Sequence, residues 1–271
     1  MSNLADTLLQ LKQRSQEIYD LLSLPHALSV SPETDRALRK STFMMLCAYF
    51  EGDFFEALRA IIHDINEDNR WNALPHELKI ATLQYSYLQN LPHSDKKQVN
   101  KNLVEKISKN FLDKLVKQGI QLQVEEDFLD AKSGLTPKNV SQFCEDFGVK
   151  NFLNSLYSSE YEVVFEGEFA SSRLMIKRKF STLYSDTSRF PYNIRLTDTE
   201  GTVTDHSITG QSLFDDFLTN LSQKRNQVMH GSMDDDSVPL EHDIEDNLIK
   251  VEAFTLAVID KIAAQFSDSS K

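Results

Sequence analysis

SPETDRALRKSTFMMLCAYFEGDFFEALRAIIHDI, residues 31 to 65, begins with a helix-start signature, Ser31 as N-cap and Pro32 at the first helical position. Leu38, Met45, Phe50, Phe54, Leu58 and Ile62 continue the helix, and its middle is apolar nearly all round. A helix without a polar face must be covered by several neighbours at once, which predicts a mainly α protein built as a helical bundle. Its longest apolar run, Thr42 to Phe50, is closed by Glu51 and Asp53 and falls well short of the roughly 20 residues that cross a bilayer.

Outward from this helix, Leu4, Leu8, Leu11, Ile18 and Leu22 predict an amphipathic helix that ends at Leu24-Pro25. Leu78 to Leu91 reads as a third helix. Leu103, Ile107, Phe111 and Leu115 mark a fourth, locally basic one, with Lys96, Lys97, Lys101, Lys106, Lys109, Lys114 and Lys117 against Asp95, Glu105 and Asp113. Such a charge run is ordinarily a solvated face rather than a surface that contacts RNA. Pro137 to Phe147 and Asn151 to Tyr157 read as short helices around a break at Gly148. Tyr161, Val163, Phe165 and Phe169 then alternate with glutamates, the period of a half-buried strand. Arg173 to Phe180 is a candidate second strand, and Tyr192 to Thr197 with Thr202 to Ile208 a candidate hairpin about Glu200-Gly201. The expectation is one domain over residues 1–271 with a β-containing insertion at 158–210, helix returning at Gln211 to His230 and Ile244 to Phe266.

The chain has 271 residues, 29 basic and 41 acidic side chains and a formal charge of −12, a balance that disfavours coating nucleic acid by bulk charge. Cys47 and Cys144 stand far apart without metal-ligand spacing, so neither a disulfide framework nor a zinc site is expected. Acidic residues within the first 24 argue against a signal peptide, and the expected location is the cytoplasm.

The chemistry concentrates in QSLFDDFLTNLSQKRNQVMHG, residues 211 to 231. At about 100° per residue, Phe214, Phe217, Leu218, Leu221 and Val228 form one stripe with Arg225 near its centre. A guanidinium there needs an anion or a subunit interface, because it does not deprotonate. Asn226 and His230 are four apart on an adjacent face, and Gly231 stops the helix, leaving His230 in the last turn. Spacing alone is weak evidence: Arg70 and His76 form a similar pair, but Pro75 precedes that histidine and no helix carries both. The other histidines, at 26, 63, 93, 206 and 242, read as surface residues. Glu51 is a carboxylate in an otherwise apolar helix, either paired with Arg225 or lying in water.

The string Arg225-Asn226-x-x-x-His230-Gly231, followed by a final amphipathic helix, resembles the motif of the HEPN superfamily of helical-bundle ribonucleases. Ser133-Gly134-Leu135, VSQFCEDFGV at 140–149 and the helix around Glu51 are similar to its prokaryotic subgroup related to RiboL-PSP. The likeness covers most of residues 31–154 and 211–266. It implies an antiparallel HEPN-like bundle and a homodimer whose facing motif helices form a composite site. It also implies endoribonuclease chemistry of the toxin or anti-phage defence type, without metal or other cofactor and with RNA as substrate. Arg225 would clamp the phosphate, His230 transfer the proton and Asn226 orient either. An antitoxin or defence-system protein is the implied partner, and no membrane is involved. A non-catalytic RNA- or nucleotide-binding module is the alternative. Ser232 stands where nucleotidyltransferase-silenced members carry a tyrosine, so that silencing is not supported, and Asp234, Asp235 and Asp236 place negative charge just after the motif.

Overall fold

The computed structural model describes residues 1–68, 71–89, 101–131, 134–157, 159–166, 169–194, 213–231 and 238–267. Its framework is a hairpin of two long helices, α1 (Asn3–Leu28) and α2 (Pro32–Asp68), joined by a turn whose Ser29 takes the left-handed conformation at φ 49°. Their polar contacts fix an antiparallel register: Asn3 meets Asp64, Arg14 meets Asp53 and Glu56, and Glu17 meets Tyr49. Ser2 caps α1 by accepting from the Ala5 amide at 3.1 Å. The buried Asp64 carboxylate accepts from the Asn3 and Leu4 amides at 2.7 and 3.1 Å and from the Tyr192 hydroxyl at 2.8 Å. These bonds satisfy donors that a helix start otherwise leaves open.

α1 passes through Pro25 for a further turn, beyond the end expected at Leu24. The proline removes one backbone hydrogen bond, and the turn beyond it is held by His26, whose imidazole meets Glu241 at 2.7 Å.

Three short helices and one long follow: α3 (His76–Gln89), α4 (Lys101–Gln118), α5 (Pro137–Asp146) and α6 (Phe152–Ser155). Gly148, between α5 and α6, has φ 89°, and a Cβ there would come within 3.0 Å of Pro75, so this break requires glycine. The last four helices are α7 (Glu162–Glu166), α8 (Phe169–Asp186), α9 (Leu213–Met229) and α10 (Glu241–Ala264). The predicted enclosure of α2 is observed, with α1, α9 and α10 packed around it. Phe50 is the pivot of that packing, its ring 6.2 Å from Phe217 and 5.9 Å from Phe254.

The expected β-containing insertion is not seen among the described residues. Residues 162–166 and 169–186 are helical, and among the described residues β pairing is limited to one bridge between Tyr192 and Ser267. Tyr161 and Val164 are buried three apart while Val163 is exposed, so the helical period wins over the alternation of glutamates. In α8, Ser172, Ile176 and Leu183 make the buried stripe, and the cations assigned to a strand lie around it. The remainder of the candidate hairpin, 195–208, lies outside the described residues. No described helix is long and apolar enough to cross a membrane.

Candidate functional site

α9 forms because Phe214, Phe217, Leu218 and Leu221 recur at steps of three and four and are all buried, while Asp215 and Asp216 occupy its first turn, where the helix dipole favours negative charge. The same stripe continues one turn past Leu221 to Arg225. α2 runs alongside and presents Glu51, one turn after the buried Cys47. Arg225 Nη1 donates to Glu51 Oε2 at 2.9 Å, with the two side chains 31% and 33% exposed. Of the two alternatives for Glu51, the structure therefore shows pairing, at the margin of the core rather than within it.

One bond leaves most of the guanidinium's five donors without that carboxylate. Arg225 Nε is enclosed and has no hydrogen-bond partner among the described residues. The pair lines a cleft of about 260 Å³ together with Phe50, Leu218 and Leu221. Gly134, Leu135 and Thr136 form a further wall, and Ser222, one turn before Arg225, completes the lining. Thr136 caps α5 by accepting from the Asn139 amide at 3.2 Å, and Asn139 Nδ2 donates to the Gly134 carbonyl at 3.0 Å. That wall is therefore a defined turn leading to a helix start. Cys47 also borders the cleft, but burial pushes its thiol up to about 12 against the opposing pull of Arg225, so it stays a neutral thiol.

The helix ends as expected. His230 N donates to the Asn226 carbonyl at 3.0 Å, Gly231 N to the Val228 carbonyl at 3.2 Å, and Gly231 takes φ 61°. Asn226 and His230 are both exposed and outside the cleft, and neither side chain has a hydrogen-bond partner among the described residues. At about 100° per residue His230 is some 140° around the helix from Arg225. One chain thus brings together Arg225 and Glu51, and sets Asn226 and His230 on a neighbouring, open face. Ser222 and Thr136 were not singled out from the sequence. The signals available were a hydroxyl one turn before the arginine and the Thr-Pro of a helix start.

Ser232 and Asp234 to Asp236 lie outside the described residues, as does Arg70 of the near-miss pair. Among the described residues no three His, Cys, Asp or Glu side chains gather as a metal-ligand set.

The family model for RiboL-PSP-HEPN matches residues 9–268. No curated protein and no solved structure matches the chain.

Proposed function

The chain belongs to the RiboL-PSP-HEPN family, and on that premise we propose that it is a metal-independent endoribonuclease whose site is shared between two copies. The observation that carries this reading is the division of α9. Arg225 is held at a half-open cleft by a single bond to Glu51, while Asn226 and His230 stand exposed on the next face. A second α9 packed against the first would bring the His230 of one copy toward the Arg225 of the other. Met229, 62% exposed beside His230, supplies apolar surface for such a seam.

In this mechanism Arg225 donates to the non-bridging oxygens of the scissile phosphate and stabilises the charge that builds on them. The ribose 2′-oxygen attacks phosphorus, the bond to the 5′-oxygen breaks, and the products are a 2′,3′-cyclic phosphate and a 5′-hydroxyl. His230 moves a proton in that exchange, off the 2′-hydroxyl or onto the departing 5′-oxygen. Asn226 orients the phosphate or the imidazole. Glu51 is a support residue that positions the guanidinium. One domain, 1–271, carries the site, and a toxin or defence role with a protein partner follows the same premise.

The test is incubation of purified protein with total RNA, with and without chelator, and analysis of product ends. Cyclic phosphates formed equally in both samples, and lost in His230→Ala, are expected. The second reading, a non-catalytic RNA- or nucleotide-binding module, is favoured by the fact that Glu51 already meets the Arg225 charge. Binding of RNA without cleavage by a protein confirmed to be dimeric would select it.

A further inference from the structure

Among the described residues, six of the fourteen large hydrophobic side chains left exposed fall between Tyr87 and Ile120. Three of them, Leu103, Ile107 and Phe111, are 55%, 38% and 49% exposed and follow one another at steps of four on α4. The sequence pattern marks this stripe, with Leu115, as the apolar repeat of the helix. The structure instead buries Val104, Ser108, Leu112 and Leu115, the next stripe round the helix, against α3. α4 therefore has a second apolar face that the described chain does not cover.

The charge around that face is the reverse of the molecule's. At about 100° per residue Leu103, Ile107 and Phe111 occupy an arc of roughly 80°, with Lys114 inside it and Lys106 and Lys117, with one acid, Asp113, along the side away from the core. Lys109 is engaged by Glu105 at 2.6 Å. Lys106, Lys114 and Lys117 have no carboxylate partner among the described residues. A chain of net charge −12 thus presents, among the described residues, three cations without a carboxylate partner beside an uncovered apolar stripe.

We propose that the Leu103–Ile107–Phe111 face of α4 is the docking site for an acidic amphipathic helix of a partner protein. The eight steps from Leu103 to Phe111 rise about 12 Å, room for three anchors of a facing helix packed side by side. Carboxylates flanking the partner's apolar stripe would meet Lys106, Lys114 and Lys117. The rest of the charge pattern selects a short acidic helix over larger polyanions. An RNA or an anionic bilayer extends beyond the stripe and meets the body of an acidic protein, whereas a helix of this length meets only α4. Two aliphatic anchors and one aromatic also offer little stacking surface to bases. A second copy of the chain would bring another −12 to the contact.

The probe is a labelled 18-residue peptide with leucines at i, i+3, i+4 and i+7 and glutamates elsewhere, titrated into the full-length protein and followed by anisotropy. Controls are the same peptide with lysines for glutamates, a 20-nucleotide RNA and phosphatidylserine vesicles. The Leu/Glu peptide is expected to bind, and Ile107→Glu with Phe111→Glu to weaken it by about tenfold or more. Lys106→Glu, Lys114→Glu and Lys117→Glu together are expected to exchange the preference toward the lysine peptide. All five positions are exposed, so the melting temperature serves as the check that each variant folds. Absence of Leu/Glu binding, or binding equal in the Ile107/Phe111 variant, overturns the proposal. So does variant-sensitive binding of RNA or vesicles instead, or sedimentation showing that these substitutions separate two copies of the chain.

Discussion

Two arginines meet carboxylates of the same helix and differ in almost everything else. Arg14 on α1 reaches Asp53 and both oxygens of Glu56, the latter at 2.8 and 3.1 Å, and lies 5.5 Å from the centre of the Tyr49 ring. Arg225 on α9 reaches Glu51 once, at 2.9 Å, with Nε left without a partner among the described residues. The first guanidinium is bidentate, stacked and matched by two carboxylates, a structural fastener of the α1–α2 hairpin. The second borders a cleft, and Glu51 engages only one of its donors. An incompletely satisfied charge costs stability, so its presence beside a cleft is informative about binding where a saturated one is not.

The sharpest break in this contrast comes from removing the proton-transfer group. His230→Ala should lower RNA cleavage by on the order of 10² to 10⁴ with an unchanged melt, because its exposed side chain packs against little. A folded variant that cleaves at the parent rate would remove His230 from the mechanism. Arg225→Lys keeps the charge but loses the planar donor array, so it should still dimerise and bind RNA while cleaving about 10²-fold more slowly. Full activity in that variant would assign Arg225 a structural role.

Stability should separate the two arginines in the opposite sense. Arg14→Met leaves Asp53 buried beside unpaired charge and should cost about 2 to 3 kcal/mol, the buried-pair figure reduced for partial exposure of the guanidinium. Arg225→Met breaks a pair exposed by a third on each side and should cost about 1 kcal/mol or less. Denaturant titrations of both variants measure the difference, and equal losses would erase the distinction drawn here.

The smallest expected effect is a pH dependence at the Arg14 site. Burial pushes Asp53 up to about 6, outweighing the lowering by Arg14. Because this folded value lies above the ordinary 3.8, the folded state holds the proton more tightly. The resulting stabilisation is complete below 3.8 and is lost as pH rises through about 6. The melting temperature of the parent should therefore fall relative to Asp53→Asn between pH 4 and 7. Parallel curves would mean that Asp53 titrates normally.

Period was the most legible property of the sequence where one face is buried and the rest is wet. α1 and α9 could be anticipated from it, including the apolar stripe that leads to Arg225 and the stop at Gly231. It misled where apolar residues exceed the surface available to bury them. Tyr161 to Phe169 satisfies both a strand and a helix pattern, and only the burial of Tyr161 and Val164 together decides between them. On α4 two adjacent stripes are apolar, and α3 covers only the one through Val104 and Leu112.

By itself the sequence determined the helical class, the N-cap at Ser31 and the likeness to its family, because these depend on neighbours within a turn or two. The tertiary structure alone decided that Arg225 pairs with Glu51, 174 positions away, and that Gly134 to Thr136 and Ser222 line one cleft. It also decided that Asp64 serves the start of α1. Each of these is a meeting of groups whose positions depend on how whole helices pack, and no local pattern encodes which ridge will lie against which groove.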